Sequence, residues 1–526
     1  MTQRIPPVPS IQDKQWTHEV VNRLLFTYLP ILLTLYIILG AIKRRYFSPL
    51  SKYPGPFWAS ITRWWVVYDA WAKHHERTML ELHRKYGPIV RTTPFEVQIA
   101  APEAPLVIYG HNSKGFSKGP WYTAWSFDKT DDTFNERDNA LHSKRRRNVG
   151  QAFALTSIIE MENQITKCGE TLIKQFARLA REGKSVMLDD WVHWYTFDVI
   201  GELAIGKEFG FLKKGSDIND WVLTIDETNE LLYWVALVPY MRKWIFNRVT
   251  AMLPSVQKQS RAFLKFKSFA LGAIRERFDR EKSADNRKDM MTWWLDQHNK
   301  KPEEWTKAHI TVEATAALFA GSDTTAIALR AIFYFLLKNP EKYTKLQREI
   351  DEAIAAGRIQ PTDVVSFETS NTLPYLLAVT KEAMRLWPSV AFPYQRLTPP
   401  EGVEIAGEYF PGNVLVSSNA FVIHRDRSVF GEDADEFLPE RWIESSSEKV
   451  SYMNKHMFQF GGGSRTCLGK NIATVEMQKI VPTIMMYFKL ELKYPEKEWT
   501  TMNHNFNTQK DIEVTLEQIR PVPWAE

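Results

Sequence analysis

The stretch Phe460-Gly461-Gly462-Gly463-Ser464-Arg465-Thr466-Cys467-Leu468-Gly469 decides how this chain is read. Three consecutive glycines cannot sit in a regular helix at low cost, so they mark a tight turn whose backbone amides can approach a neighbouring atom. A helical pattern follows from near Lys470. A helix N-terminus favours negative charge, so the sulfur of Cys467 is placed where a thiolate is stabilised. A thiolate so held and shielded is a metal ligand, and nearby backbone amides tune the metal. Arg465 adds a fixed guanidinium suited to a carboxylate. Taken alone, the same residues also describe a buried free cysteine beside a glycine turn.

Working outward, three more patterns bear on that choice. Glu382-Ala383-Met384-Arg385 puts an acid and a base at i and i+3 on one helical face, a spacing that most often makes a surface ion pair of little value. Phe437-Leu438-Pro439-Glu440-Arg441-Trp442 follows. Ala320-Gly321-Ser322-Asp323-Thr324-Thr325 lies in the middle of a long apolar helical run. An acid and hydroxyls there are costly to bury without a role. The plain alternative is that the hydroxyls bond back to the preceding turn and Gly321 eases packing.

Taken together, order and spacing make the chain resemble the cytochrome P-450 family, haem-thiolate monooxygenases, from the Tyr53-Pro54-Gly55-Pro56 segment almost to the C-terminus. The phrases YPGPFWASITRWW and FDVIGELAIGKEFG are similar to those of fungal, pisatin-demethylase-like members. The resemblance implies a mainly α fold with small β-sheets, haem b as cofactor, and Cys467 as its axial iron ligand. It implies that Phe460, Arg465, Arg146, Arg396 and His142 contact the haem, His142 standing where many members have Trp. Glu382, Arg385 and Arg441 match a buried structural triad. Asp323 and Thr324 match a distal acid–alcohol pair that relays protons during oxygen activation, with a local break in the helix near Gly321. Residues around Phe116–Phe127, with Phe392 and Phe506, are expected at the pocket. Electrons are expected from NADPH through a separate flavoprotein reductase, with a cytochrome b-type protein as a second candidate donor.

The remaining features set the context. From Leu24 to Ile42 the chain is uncharged and mostly apolar, and at about 1.5 Å per residue it matches a bilayer's hydrocarbon thickness. Lys43, Arg44 and Arg45 follow, which favours a cytosolic C-terminal side. The expected layout is a tail at 1–23, a transmembrane anchor at 24–42, a basic, proline-rich hinge at 43–60, and one haem-binding domain at 61–526. The expected location is the endoplasmic reticulum membrane, single-pass, with the catalytic domain in the cytosol. Two cysteines exclude a disulfide framework, and the net charge of +5 makes no case for nucleic acid. The basic run Lys144-Arg145-Arg146-Arg147 taken alone would read as a nucleic-acid or import patch. Leu231–Trp244 is strongly aromatic and reads equally as a membrane-dipping access segment or as ordinary packing.

Helices are expected at Asp69–Tyr86, Ser157–Ala180, Ser260–Arg280, Ile310–Lys338, Glu341–Ala356, Leu373–Leu386 and Gly469–Phe488. Strands are expected at Ile89–Thr92 with Val97–Ile99, and at Val403–Ile405 with Val414–Ser417. The activity implied is insertion of one oxygen atom from O2 into a lipophilic small molecule, in fungal secondary metabolism or detoxification. The rivals are a haem-thiolate reductase, peroxygenase or rearrangement enzyme, and a haem-binding sensor without turnover.

Overall fold

A computed structural model describes residues 20–111, 113, 115–126, 130–242, 254–280 and 288–524. Most of the expected tail at 1–23 lies outside them, as do Phe127 and the end of the aromatic segment at Trp244. The apolar helix covers Val20–Tyr46, with mean hydropathy 2.2 and no part of it buried. It contains a π-helical turn at Leu24–Tyr28. Pro30 lies inside this continuous helix, directly after the π-helical turn, and its missing amide removes one helix hydrogen bond there.

Two expected helices are interrupted. The run Asp69–Tyr86 splits into Trp64–Trp71 and His75–Tyr86, because Lys73 adopts φ 61°. The His75 ring meets Asp69 across that corner at 2.5 Å. Ser157–Ala180 splits at Met161 into Leu155–Glu160 and Glu162–Arg181. Expected helices further on correspond to Pro254–Arg280, Pro340–Ala355, Pro374–Leu386 and Lys470–Tyr487.

One expected strand pairing is corrected. Val403–Ile405 forms a hairpin with Glu408–Phe410, turned by Ala406 and Gly407 in the left-handed region at φ 54° and 74°. A two-residue turn of this kind wins on loop-closure entropy over a longer return. Leu415–Ser417 instead runs parallel to Glu96–Gln98 and antiparallel to Arg396–Leu397, while Ile89–Thr93 pairs with Glu96–Ile99. Ser117–Lys118 completes this five-stranded sheet at its far edge, against Arg396–Leu397.

The central helix Lys307–Lys338 organises the core. Its start is fixed by a capping box in which Thr306 accepts from the His309 amide and the His309 ring accepts from the Thr306 amide. It packs along Leu188–Ile205, a helix apolar on nearly every face. The closest approach is at Gly321, where a Cβ would lie 2.7 Å from Ile200 Cγ1. Gly321 therefore serves helix packing. The helix runs unbroken from Lys307 to Lys338, against the expected local break. It passes a membrane-span test by length and apolarity, yet 67% of its apolar window is buried inside the body, so it is a core helix.

Candidate active site

One large cavity lies between the central helix, the glycine-rich loop and the Ser117–Asn135 region, and Cys467 opens into it. The loop geometry is dictated by glycine. Gly461 and Gly463 adopt φ 67° and 60°, and a Cβ on Gly463 would sit 2.1 Å from Tyr109 O. The Cys467 amide donates to Phe460 O at 2.9 Å, closing the loop. Burial pushes the Cys467 thiol up, while the Gly469 amide, the Arg146 guanidinium and the Lys470 amide oppose that shift by favouring the thiolate. The helix Lys470–Tyr487 thus presents its N-terminal amides to the sulfur.

At one end of the cavity the structure brings together His142, Arg146, Arg396 and Arg465. It adds Lys118, which sequence reasoning missed. Among the described residues none of the four cations forms an ion pair with a carboxylate; Arg396 donates to Tyr122 Oη at 3.1 Å, and Arg465 to Glu136 O at 3.0 Å and Asn139 Oδ1 at 2.9 Å. Their titration records the crowding. Burial, then Arg465 and Arg396, push Lys118 well below the usual lysine range. Burial, then Arg396, lowers Arg465 to about 10. Burial, then Arg465, Lys118, Arg146 and Arg396, drive His142 far down. A buried cationic group of this kind is short of anions, and the two propionates of a haem would supply them. With a cysteine sulfur facing the same cavity, the residues present fit a haem-thiolate group. Phe460 also lines the cavity, as do Phe392 and Phe506.

The distal pair divides. Thr324 lines the cavity, and its hydroxyl donates to Ala320 O at 3.0 Å, which is the back-bonding alternative raised from the sequence. Asp323 is buried on the other side of the helix. His193 Nε2 donates to one of its oxygens at 2.6 Å and Asn229 Nδ2 to the other at 3.0 Å, and it does not line the cavity. The turn of about 100° per residue carries Asp323 off the side of the helix that faces the cavity, whereas Thr324 and Thr325 both stay on it.

Glu382, Arg385 and Arg441 meet in the interior. Arg385 makes two bonds of 2.8 Å to the Glu382 carboxylate, and Arg441 Nε adds one of 2.9 Å. Trp442 Nε1 and the Leu438 amide also donate to it, at 2.8 and 3.0 Å. Arg385 further donates to the His424, Ala434 and Glu436 carbonyls. Burial opposes ionisation of Glu382, but Arg385 and Arg441 outweigh it and hold the carboxyl below its usual range.

Within Leu231–Trp244, Leu231, Leu232, Val235 and Ala236 are buried against Trp121, Trp125 and Phe392, which favours the packing alternative for that part. Tyr240 in that segment is exposed, and a further exposed aromatic surface lies on Trp64, Tyr68 and Trp71, where the sequence had not pointed to one.

A cysteine-bearing glycine loop, a cluster of cations suited to carboxylates and a hydroxyl on a long core helix, all on one cavity, are the parts of a haem-thiolate protein. The family model for cytochrome P-450 matches residues 54–516, and this chain belongs to that family. It is 34% identical to the cytochrome P450 monooxygenase gsfF of Penicillium aethiopicum, over 91% of this chain and 96% of the relative. It is 34% identical to the cytochrome P450 monooxygenase cicH of Emericella nidulans, over 87% and 91%. A pisatin demethylase of Fusarium vanettenii is 30% identical, over 90% and 92%. The chain is a cytochrome P-450 monooxygenase by family, with haem as the cofactor of that family.

Proposed function

We propose that the protein inserts one oxygen atom from O2 into a lipophilic small molecule in fungal secondary metabolism or detoxification. The other oxygen leaves as water, so each turnover takes up two electrons and two protons. The carrying observation is the shared cavity in which Cys467, cradled by the Gly469 and Lys470 amides, opens opposite the stripe of the central helix that bears Thr324. When bound, the haem supplies the oxygen-activating redox chemistry, favoured by thiolate donation in this family as a whole. Cys467 would ligate its iron. Arg146, Arg396, Arg465, Lys118 and His142 would hold its propionate edge.

The chain's own part in turnover is orientation and proton supply. Thr324 passes a proton at its hydroxyl into the cavity. Asp323 stands behind it as the proton source, tied to His193 and Asn229, and reaches the cavity only by giving up those partners. Electrons come from an NADPH-dependent flavoprotein reductase, with a cytochrome b-type protein as a second candidate donor. The layout proposed is a tail, an anchor within residues 24–42, a hinge to residue 60 and one catalytic domain, in the endoplasmic reticulum membrane with that domain in the cytosol. Continuity supports the membrane contact: the fully exposed apolar helix leads into Phe57, Trp58, Trp64, Tyr68 and Trp71, all exposed. Such amphipathic rings suit the headgroup boundary.

The test is the reduced, carbon-monoxide-bound absorption spectrum. The unmodified protein is expected to show the red-shifted thiolate band and Cys467→Ser to lose it. A thiolate band that survives in the serine variant would refute the ligand assignment.

A further inference from the structure

The stripe of the central helix that faces the cavity carries, near its N-terminal end, an ionisable residue that the oxygen chemistry does not use. Glu313, Ala317, Ala320 and Thr324 follow at spacings of four, three and four, and all four line the cavity. Eleven residues are close to three whole turns, so Glu313 and Thr324 share a face, about 16 Å apart along the axis. Between them the alanines leave a smooth floor.

Glu313 is buried, at 6% exposure. Its Oε1 accepts from the Thr133 amide at 2.8 Å and the Thr133 hydroxyl at 2.7 Å. Its Oε2 has no hydrogen-bond partner among the described residues. Burial, then the neighbouring Asp132, push the Glu313 carboxyl above the usual carboxylate range, against the two Thr133 bonds and Arg145. Asp132 is itself raised by burial, and its Oδ1 is occupied by the Phe134 and Asn135 amides. Aromatic rings stand on the same wall: Trp125 meets Phe134 edge-on at 5.6 Å and Phe319 at 5.8 Å.

We propose that Glu313 is the substrate's polar anchor, its free Oε2 hydrogen-bonding a phenolic or carbonyl oxygen at one end of an elongated aromatic molecule whose other end lies at Thr324. The proposal rests on the monooxygenase reading for the role of Thr324. A buried carboxyl that keeps its proton donates to such an oxygen and gains nothing from a ligand lacking it. The aromatic wall accepts flat rings by edge and offset contacts.

The experiment uses full-length holoprotein and three probes of one shape: 4-phenylphenol, biphenyl and 4-phenylbenzyltrimethylammonium. Binding is read by equilibrium dialysis, which needs no turnover, and haem content is measured by absorbance in the same samples. The unmodified protein is expected to prefer 4-phenylphenol over biphenyl by about tenfold, the size of one buried hydrogen bond. Glu313→Leu should bring that ratio near one, and Glu313→Gln, which keeps a donor, should retain most of it. Equal affinities in the unmodified protein, or an unchanged ratio in Glu313→Leu, would overturn the anchor. Preference for the trimethylammonium probe would overturn it too, showing an ionised site for cations. If Glu313→Leu fails to load haem, the unmodified protein and Glu313→Gln still decide. Failure of the monooxygenase reading would appear separately, in the carbon-monoxide spectrum.

Discussion

Thr324 offers its hydroxyl to Ala320 O while facing the cavity, so it is held without being used up: an oxygen lone pair remains for water or for a reacting group. Thr324→Ala is expected to leave haem binding intact and to lower the product formed per NADPH consumed, by up to the roughly 100-fold or more that a lost proton-transfer group can cost. The check is product formed per NADPH consumed with a purified reductase. Unchanged coupling would remove Thr324 from the proton route. Cys467, Arg465, Thr324 and Glu382 could be singled out because each sits in a short motif, while Arg146 and Arg396 were expected from the family resemblance. Lys118 and Glu313 were not, because neither belongs to a local pattern. Lys118 reaches the cavity from a two-residue edge strand, and Glu313 acquires a role only when Thr133 is brought against it and both line the cavity.

At the scale of elements, the Glu382 network ties the helix Pro374–Leu386 to the turn Pro439–Trp442. Four groups donate to one buried carboxylate while Arg385 also closes three backbone carbonyls, so removing the negative charge leaves the buried Arg385 guanidinium uncompensated, Arg441 keeping Asp433 at 2.7 Å. Glu382→Gln is expected to cost about 3–5 kcal/mol, seen as a lower thermal midpoint of haem release. Because the folded-state carboxyl lies below its unfolded value, the stabilisation is present above the unfolded pKa and is lost as pH falls through the folded one. The unmodified protein should therefore lose stability in acid more steeply than Glu382→Gln, and parallel acid profiles would contradict the assignment. The same level of description explains the misread strands. Val403–Ile405 was legible as a strand, but its partner was settled by Ala406 and Gly407, whose turn makes the nearest segment the cheapest neighbour.

On the scale of the whole molecule, the apolar helix and the aromatic face of Trp64–Trp71 form two separate membrane contacts in the proposed orientation. Each buried aromatic ring contributes by its apolar area, so the second contact should survive loss of the first. Removing residues 1–46 is expected to weaken vesicle binding without abolishing it. Adding Trp64→Ser, Tyr68→Ser and Trp71→Ser should release the protein in a flotation assay. Tight binding by the doubly altered chain would place the membrane contact on another surface.

The sequence by itself determined the haem-thiolate class, the glycine-rich cysteine motif, the apolar N-terminal helix and the run of the core helix. These are properties of contiguous residues: a glycine turn, a charge-free span and an apolar run are complete within their own stretch of chain. Only the tertiary structure decided which side of the central helix each residue faces. It turned Thr324 and Glu313 into the cavity, tied Asp323 to His193 and Asn229 behind it, and pressed Gly321 against Ile200. The physical reason is that a helix repeats every 3.6 residues on all its faces alike, and only the elements packed around it make one face a core and another a site.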